Sequence, residues 1–461
     1  MSAGHAKTKG PIQKWFDVEE WTKWISGWGI SHALFLSTLF VALLAVLALE
    51  VPDFGFFSLW WFAGLAPIFL PIVLLRAGWF AWIEYIREEF LASRDPILLE
   101  VKLPRDILKS PRAMEAVFNS FGGMGSGEVS FIQRAWLGQV RPWFSFEIAS
   151  FGGETHFYIW CWGTYKRHIE TSIYAQYPEV EIYEVEDYAT KFSYTPDRYA
   201  AFVTEYTLAQ GDSLPIKSYI DWELDKDPKE EFKIDPISYA LEVMSSLKPG
   251  EQMWVQIMIR IVGKETAHHA LNPGSRDWKK EVEDAVEKVR TEASINVGKR
   301  DADDHDEAKY GQFPRPTWRM TEQIAAMERH MGKVPFEVGI RGIYIAPAGE
   351  VHGPTLNGLR LFFKQFNNSN YLNAINPTRG HNIFDFPWQD FRGMYREAIA
   401  RWYFDAYQQR SYFYTPYSLP SFVLSSESLA SIYHFPSRGV VAPGLERISA
   451  KKSEPPSNLP R

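Results

Sequence analysis

Two apolar runs near the start of the chain constrain its fold more than any other feature. The first run, residues 31–50, has no Asp, Glu, Lys or Arg before Glu50, and the second, residues 56–80, has only Arg76 close to its end. A helix needs about 20 apolar residues to cross a hydrocarbon layer roughly 30 Å thick, and each run reaches that length. Only VPDFG separates the two runs. The pattern therefore predicts a transmembrane hairpin over residues 31–82.

The charges around this hairpin predict its orientation. VPDFG carries Asp53 and no basic residue, whereas four lysines precede the first run and Arg76 and Arg87 lie at the end of the second. Basic residues favour the cytoplasmic side of a membrane. Both termini and the long remainder of the chain are therefore expected in the cytoplasm, as parts of a multi-pass protein.

Residues 1–30 are predicted to form a cytoplasmic segment ahead of the hairpin. Apolar residues recur there at helical spacing: Val18, Trp21, Ile25 and Trp28. This spacing is typical of a short helix that lies at the membrane interface, and equally of the frayed start of the first span.

The composition of the whole chain indicates a large water-soluble body behind the apolar runs. The mean hydropathy is slightly negative in spite of them. A net charge of −7 argues against a surface coated with phosphate-binding Lys and Arg. The single cysteine, Cys161, excludes an internal disulfide and fits a reducing compartment. It lies among aromatic residues, and we expect an inert core side chain.

From Pro96 onward, the periodicity is typical of an α+β protein. PILLEVKLP alternates as a strand does, residues 106–120 have helical spacing, and WFSFEIASFGGETHFYIWCW indicates a β-hairpin that turns at Gly152 and Gly153. Another helix and the strand VEIYEVEDY follow. The order strand, helix, strand, strand, helix, strand predicts a ferredoxin-like (βαββαβ-type) unit in a first α+β domain, residues 94–225.

A second α+β domain with added helices is predicted over residues 236–435. Its strands and helices begin with the helix ISYALEVMSSLKPG and the strand EQMWVQIMIRIVGK. The order of elements leaves open whether this domain is a duplicate of the first. Residues 436–461, rich in Pro, Ser and Lys, predict an extended tail.

Motifs for catalysis, cofactor binding and metal binding are missing from the sequence. GGMGSGEVS has no Lys followed by Ser or Thr, so it cannot form a Walker A loop, and no GxSxG or HExxH occurs. The acidic residues 301–307 do not have the glycine of an EF-hand and predict a solvated loop. The chain is therefore predicted not to be an enzyme, with no catalytic, cofactor-binding or metal residue.

Arginines near aromatic residues are the candidates for a binding surface in the last third of the chain. They lie close to Trp388 and Trp402, and are Arg379, Arg392, Arg396, Arg401 and Arg410. Arginine with aromatic side chains is able to bind a nucleic-acid strand, or the arginines pair with acidic neighbours within the fold. Arg392, Arg396 and Arg401, on one predicted helix, are the candidate nucleic-acid contacts.

Several stretches of the chain are similar to a known family. They are ILLEVKLP, SPRAME, RPWFSFEIASFGGETHFYIW, YKRHIETSIYAQYPEVEIYEVEDY, SSESLASIYHFP and EPPSNLP. Together they resemble the uncharacterised membrane-anchored region that lies beside, or is fused ahead of, FtsK-like coupling ATPases in bacterial type IV secretion and conjugation systems. In fused members, motifs similar to the last two lead into an ATPase domain. Here the chain stops at Arg461, so the family's ATP-binding residues have no counterpart.

The resemblance implies a membrane-anchored cytoplasmic scaffold in the bacterial cell membrane. Its expected partners are membrane lipid, a separate coupling-type ATPase and further copies of the same chain, with nucleic acid as a weaker candidate. No cofactor is expected. Two alternatives remain: an enzyme of unknown chemistry at the membrane surface, and a nucleic-acid-binding module.

Overall fold

The computed structural model describes most of the chain from residue 52 onward. The described residues are 37–43, 45–46, 52–104, 107, 109–124, 130–226, 234–262, 278–300, 316–380, 383, 386, 388–414, 417–437, 444–445 and 447–448. The predicted segment 1–30 and the acidic residues 301–307 lie outside them, as does most of the predicted tail. Two compact units are present, Met1–Ile83 with Asn382–Ala398, and Glu84–His381 with Ile399–Arg461.

The first unit contains most of helix α1, Pro52–Ala92, which continues into the second unit. Proline suits the first position of a helix because the N–H that it lacks would have no partner there. The prediction that VPDFG connects two helices is wrong, because residues 52–55 belong to α1 and do not form a turn.

Among the described residues, one helix is long and apolar enough to cross a membrane, Gly64–Ala92 within α1. Its 29 residues span about 43 Å at 1.5 Å per residue. Of the first predicted span, residues 37–43 and 45–46 are helical and the rest lies outside the described residues. The structure thus supports one candidate span, and it does not support the predicted two-helix hairpin or the multi-pass topology.

The helices after α1 belong wholly or mainly to the second unit. They are α2 (Pro111–Phe121), α3 (Phe131–Ala135), α4 (Lys166–Gln176), α5 (Tyr188–Lys191), α6 (Ile237–Ser245), α7 (Trp278–Arg300), α8 (Trp318–Met331), α9 (Gly353–Arg360), α10 (Met394–Gln408) and α11 (Ser426–Ile432). Several begin at a residue suited to that position. Ser110 and Pro111 start α2, and the Thr317 hydroxyl accepts the Met320 N–H at 3.3 Å to start α8.

The strands of the second unit form one sheet. They are β1 (Pro96–Pro104), β2 (Phe144–Phe151), β3 (Glu154–Trp162), β4 (Glu181–Val185), β5 (Tyr199–Leu208), β6 (Gln252–Ile261), β7 (Pro335–Pro347), β8 (Ile375–Pro377), β9 (Phe422–Ser425) and β10 (Arg447–Ile448). Among these described strands, β1 to β9 pair antiparallel, and β10 adds parallel to β1. The protein is therefore a mixed α+β structure, as predicted at that level.

The strand order is β10–β1–β3–β2–β6–β7–β5–β8, with β4 on β1 and β9 on β7. β2 and β6 pair from Phe144 opposite Ile259 to Phe151 opposite Gln252, so the sheet runs without a break between the two predicted α+β domains. β5 lies in the predicted first domain, yet it pairs with β7 and β8 of the second.

Side chains alternate between the two faces of the sheet, and the two faces differ in chemistry. One face is mainly aliphatic and packs against helices α2, α4, α6 and α11. We call the other the aromatic face, because Trp160 and Trp254 lie on it and the second half of α10 covers it with Tyr403, Phe404 and Tyr407. This aromatic face also carries most of the buried charges described below.

Candidate functional site

Between Gly64 and Ile83, the surface of α1 is apolar on all sides apart from Arg76. Four consecutive residues, Ile72 to Leu75, are each more than half exposed, and consecutive residues of a helix point in different directions. A helix in a soluble core would instead bury a stripe of its surface. Trp60 and Trp82 are also exposed, and tryptophan is enriched where a helix leaves the hydrocarbon layer. This surface fits a lipid environment.

The last turns of α1 pack into the second unit. Ile86 is 5% exposed, and the Phe90 ring meets the Trp162 ring edge to face with centroids 6.2 Å apart. The Arg94 guanidinium lies 4.1 Å from the centre of the Phe90 ring. The end of α1 is therefore part of the folded body that carries the sheet.

The predicted nucleic-acid contacts are all exposed, and they lie in different units. Arg392 and Arg396 belong to the first unit, and Arg401 belongs to the second. Arg396 Nε is 3.6 Å from Asp390 Oδ2. Exposed Trp388 lies in the same segment of the first unit. Arg392 and Arg396 are thus solvent-accessible in a chain segment that also exposes an aromatic side chain, as a binding surface would require.

Arg410, which the sequence groups with these arginines, is fully buried and therefore does not meet a ligand at the surface. Its Nε donates to Glu147 Oε1 at 3.0 Å and its Nη2 to Glu147 Oε2 at 3.1 Å. Nη2 also donates to Asp187 Oδ1 at 2.9 Å, and Nη1 donates to the same carboxylate. Burial opposes the charged form, but Glu147 and Asp187 outweigh it and raise the pKa of Arg410.

The Glu147 carboxylate is saturated with donors besides Arg410. Ser145 Oγ and Gln256 Nε2 donate to its Oε1 at 2.7 and 3.0 Å, and the Tyr188 hydroxyl donates to its Oε2 at 2.7 Å. Burial and this carboxylate raise the pKa of Tyr188 well above its ordinary value. With this many donors, the Glu147 carboxylate holds the side chains around it in fixed positions.

Glu147 belongs to a line of polar side chains that crosses the aromatic face of the sheet. Paired positions in adjacent strands place them in order: Glu100, Tyr158, Glu147, Gln256, Arg341 and Glu205. We call this line the polar row. It links five pairs of neighbouring strands at the same height and lies largely beneath α10 and the chain that follows it.

Arg341 and Glu205, at the far end of the polar row, form a looser ion pair. Arg341 Nε lies 3.6 Å from Glu205 Oε1, and the arginine is fully buried. Among the described residues, Arg341 Nε, Arg341 Nη1 and Glu205 Oε1 have no hydrogen-bond partner. Burial lowers the pKa of Arg341 and raises the pKa of Glu205. Both charges are thus held in a less favourable environment than those of Glu147 and Arg410.

A further ion pair joins β6 to β7 on the same face. Arg260 Nε donates to Glu337 Oε2 at 2.6 Å, and Arg141 Nη2 lies 3.6 Å from Glu337 Oε1. The Arg260 guanidinium also lies 4.4 Å from the centre of the Phe413 ring. These contacts attach the segment after α10 to the sheet.

The family model for the domain of unknown function DUF8128 matches residues 114–446, well over half of the chain. The chain belongs to the DUF8128 family. The DUF8128 region begins within α2 and ends just before β10, so it contains β2 to β9 and every ion pair described above. A comparison with curated proteins finds no match.

The DUF8128 region includes the single cysteine. Cys161 is fully buried, and burial raises the pKa of its thiol to about 12. The expectation of a buried core thiol is confirmed. Within the part of the chain that the structure describes, no three His, Cys, Asp or Glu side chains are grouped closely enough to hold a metal ion.

The DUF8128 region also contains a cluster that the sequence did not reveal, on the aliphatic face. The Tyr219 hydroxyl and Lys333 Nζ both donate to the buried Glu115, and Arg329 Nε donates to Glu427 Oε1 at 3.0 Å. The only signal for it was the position of Glu115 on the apolar side of a predicted helix. Lys333 Nζ also lies 3.9 Å from Glu427 Oε2, so it links α11 to α2.

Proposed function

We propose that the protein is a membrane-anchored cytoplasmic scaffold, a docking component of a type IV secretion or conjugation-like transfer machine that works with a separate ATPase. The observation that carries the proposal is α1, an apolar helix exposed on all sides whose last turns belong to a large folded body. The kind of machine is proposed from the resemblance to the region beside FtsK-like coupling ATPases. In this proposal the body is cytoplasmic, and residues 31–50 form the partner span of α1.

We further propose that the sheet consists of two ferredoxin-like units joined edge to edge at β2 and β6. The order β4–β1–β3–β2, with α2 and α4 as the connecting helices, is that of a split βαβ arrangement. The order β8–β5–β7–β6, with α6 and α9 in the corresponding connections, repeats it. The second ferredoxin-like unit then starts at β5 and not at residue 236. The repeated strand order supports the idea of a duplication.

Membrane fractionation of the full chain tests the anchor. We expect the protein in the membrane pellet after alkaline carbonate extraction. A double variant, Ile72→Arg with Leu75→Arg, should shift partly into the supernatant, because an arginine at the centre of a span costs about 2.5–3.5 kcal/mol while the proposed partner span stays apolar. Leu361→Arg, on an exposed position of the body, is the matched control and should stay in the pellet.

Co-purification in mild detergent tests the scaffold. We expect the chain to bring down a coupling-type ATPase and to have the mass of an oligomer in light scattering. Recovery as a monomer without an ATPase would contradict the scaffold even if the anchor holds. A deep pocket with convergent acid and base groups would instead favour the alternative, a membrane-surface enzyme.

Nucleic-acid binding is the second candidate, favoured by the exposed Arg392 and Arg396 in the same chain segment as exposed Trp388. A gel shift of the detergent-solubilised full chain with single-stranded DNA at two salt concentrations tests it. If the segment binds, Arg392→Ala with Arg396→Ala should weaken binding and reduce its salt dependence. A chain that produces no shift at low salt does not bind DNA.

A further inference from the structure

The short helix α3 and the two residues after it expose four large apolar side chains. Phe131, Ile132, Trp136 and Leu137 are each more than half exposed to solvent, and we call them the α3 patch. The turn that presents them is well defined. Ser130 Oγ accepts the Gln133 N–H at 3.2 Å, and Gln133 Oε1 accepts the Ser130 N–H at 2.9 Å, which closes a capping box.

The α3 patch lies beside the end of α1. Gly138, directly after the patch, has φ +62°, and a Cβ atom there would lie 2.0 Å from the Ile86 carbonyl oxygen and 2.9 Å from the Arg87 nitrogen. Only glycine allows so close an approach, because its backbone has no side chain. The chain that follows the patch therefore runs directly against the backbone of α1 at Ile86 and Arg87.

This position is where the apolar sequence of α1 ends. Glu84, Arg87, Glu88 and Glu89 follow within the same helix, and a helix rises 1.5 Å per residue. The contact at Ile86 is therefore within about one helical turn of the last apolar residues of α1. A membrane that surrounds α1 would reach its interfacial layer at this level.

We propose that the α3 patch is a second membrane contact, which inserts its apolar side chains into the boundary between headgroups and acyl chains. This rests on the proposed function, since it requires that α1 enters the bilayer. The patch has the composition of an interfacial element: Phe131 and Trp136 are aromatic, Ile132 and Leu137 are aliphatic, and Arg134 suits anionic headgroups. The position of the patch next to Ile86, where the apolar sequence of α1 ends, makes lipid the occupant.

The membrane contact fixes the body at two points. A body joined to a membrane by one helix is able to tilt toward or away from the membrane surface, and a second insertion beside the helix restricts this tilt. The α3 patch would thereby hold the sheet domain at a constant tilt relative to the membrane.

Site-directed fluorescence tests the contact. Ile132→Cys in the full chain is labelled with the environment-sensitive dye NBD and reconstituted in phosphatidylcholine–phosphatidylglycerol vesicles, with or without nitroxide-labelled lipid. Native Cys161 is fully buried, so unsubstituted protein serves as the labelling blank. We expect a blue-shifted emission and at least twofold quenching by the nitroxide lipid. Leu137→Cys is a second position with the same expected result.

Two control positions separate this inference from the proposed function. Leu74→Cys, in α1, should be quenched if the anchor enters the bilayer, and Glu283→Cys, on an exposed position of α7, should not be quenched. Quenching at 74 without quenching at 132 and 137 would overturn the α3 contact and leave the anchor intact. A blue shift at 132 without quenching would mean that protein covers the patch, and would also overturn it. Absence of quenching at all three positions would overturn both.

Discussion

Two buried ion pairs lie on the same polar row of the sheet and differ in how completely they are hydrogen-bonded. Arg410 and Glu147 make two parallel hydrogen bonds at 3.0 and 3.1 Å, and the remaining atoms of both groups have further partners. Arg341 and Glu205 approach only to 3.6 Å, and three of their atoms have no partner among the described residues. Burial is similar for both arginines, so burial alone does not decide what such a pair contributes to stability.

The better-bonded pair also holds an unfavourable backbone conformation. Arg410 has φ +48°, in the left-handed region that residues other than glycine rarely adopt. Its carbonyl oxygen accepts the Trp143 indole N–H at 2.8 Å. Side-chain and backbone contacts thus fix the residue at which the chain leaves α10, and the strain is offset by the ion pair. We therefore expect the Arg410–Glu147 pair to stabilise the fold more than the Arg341–Glu205 pair does.

Of the variants that compare the two ion pairs, the one without Glu147 should lose the most stability. Glu147→Ala leaves the guanidinium of Arg410 buried with Asp187 as its remaining carboxylate and removes the acceptor of Ser145 and Gln256. We expect a loss of about 3–5 kcal/mol in the free energy of unfolding. Chemical denaturation of the full chain in detergent, followed by tryptophan fluorescence, measures it. A loss below about 1 kcal/mol would show that the two pairs are equivalent.

Replacing the looser pair should have a smaller effect. In Arg341→Met with Glu205→Leu, both buried charges and their unpaired atoms are removed together, and such replacements are often neutral or stabilising. We expect a change within about 1 kcal/mol, measured as for Glu147→Ala. Arg341→Met alone is the matched control and should be less stable than the double variant, because it leaves the Glu205 carboxyl buried without its partner.

The pH dependence of stability should distinguish two carboxyls of the polar row. Burial raises the pKa of Glu205 in the folded state, so its stabilising contribution is complete below its unfolded pKa and is lost as the pH rises through the folded pKa. Glu205→Gln should therefore flatten the fall in melting temperature above the ordinary range of a glutamate. An unchanged pH profile would mean that Glu205 titrates normally.

Glu100, at the other end of the polar row, should change stability with pH in the opposite direction to Glu205, and by the smallest amount. A hydrogen bond with His156 Nδ1 at 2.8 Å lowers its pKa. Its contribution is present above the unfolded pKa and is lost as the pH falls through the folded pKa. Glu100→Gln should reduce the loss of stability on acidification, measured by thermal unfolding between neutral and acidic pH. Because the carboxylate is partly exposed, solvent weakens the effect.

Local patterns in the sequence were enough to predict many elements of the fold. Alternation predicted β1, and the glycine pair predicted the turn of the β2–β3 hairpin, where Gly152 and Gly153 have φ +60° and +98°. Helical spacing predicted α2, which begins at Pro111 because Ser110 and the proline suit a helix start. These features depend on residues near one another in the chain.

The long-range features could not be predicted in this way. The pairing of β2 with β6 joins segments about 100 residues apart, and nothing in either strand specifies its neighbour. From the sequence, buried Arg410 also cannot be distinguished from exposed Arg396, because its partner Glu147 is far away in the chain. VPDFG has the composition of a turn, but the proline begins a helix.

The burial of α11 has a consequence for the order of events during synthesis. All of its residues, Ser426–Ile432, are buried, and it packs against α2, which ends at Phe121. At about 5–20 residues per second, α11 is translated roughly 15–60 s after α2. For that time the nascent chain carries α2 without the helix that covers it in the folded protein. We expect α2 to gain protease protection in arrested nascent chains only after α11 has left the ribosome. Release of the finished domain would then depend on its C-terminal segment.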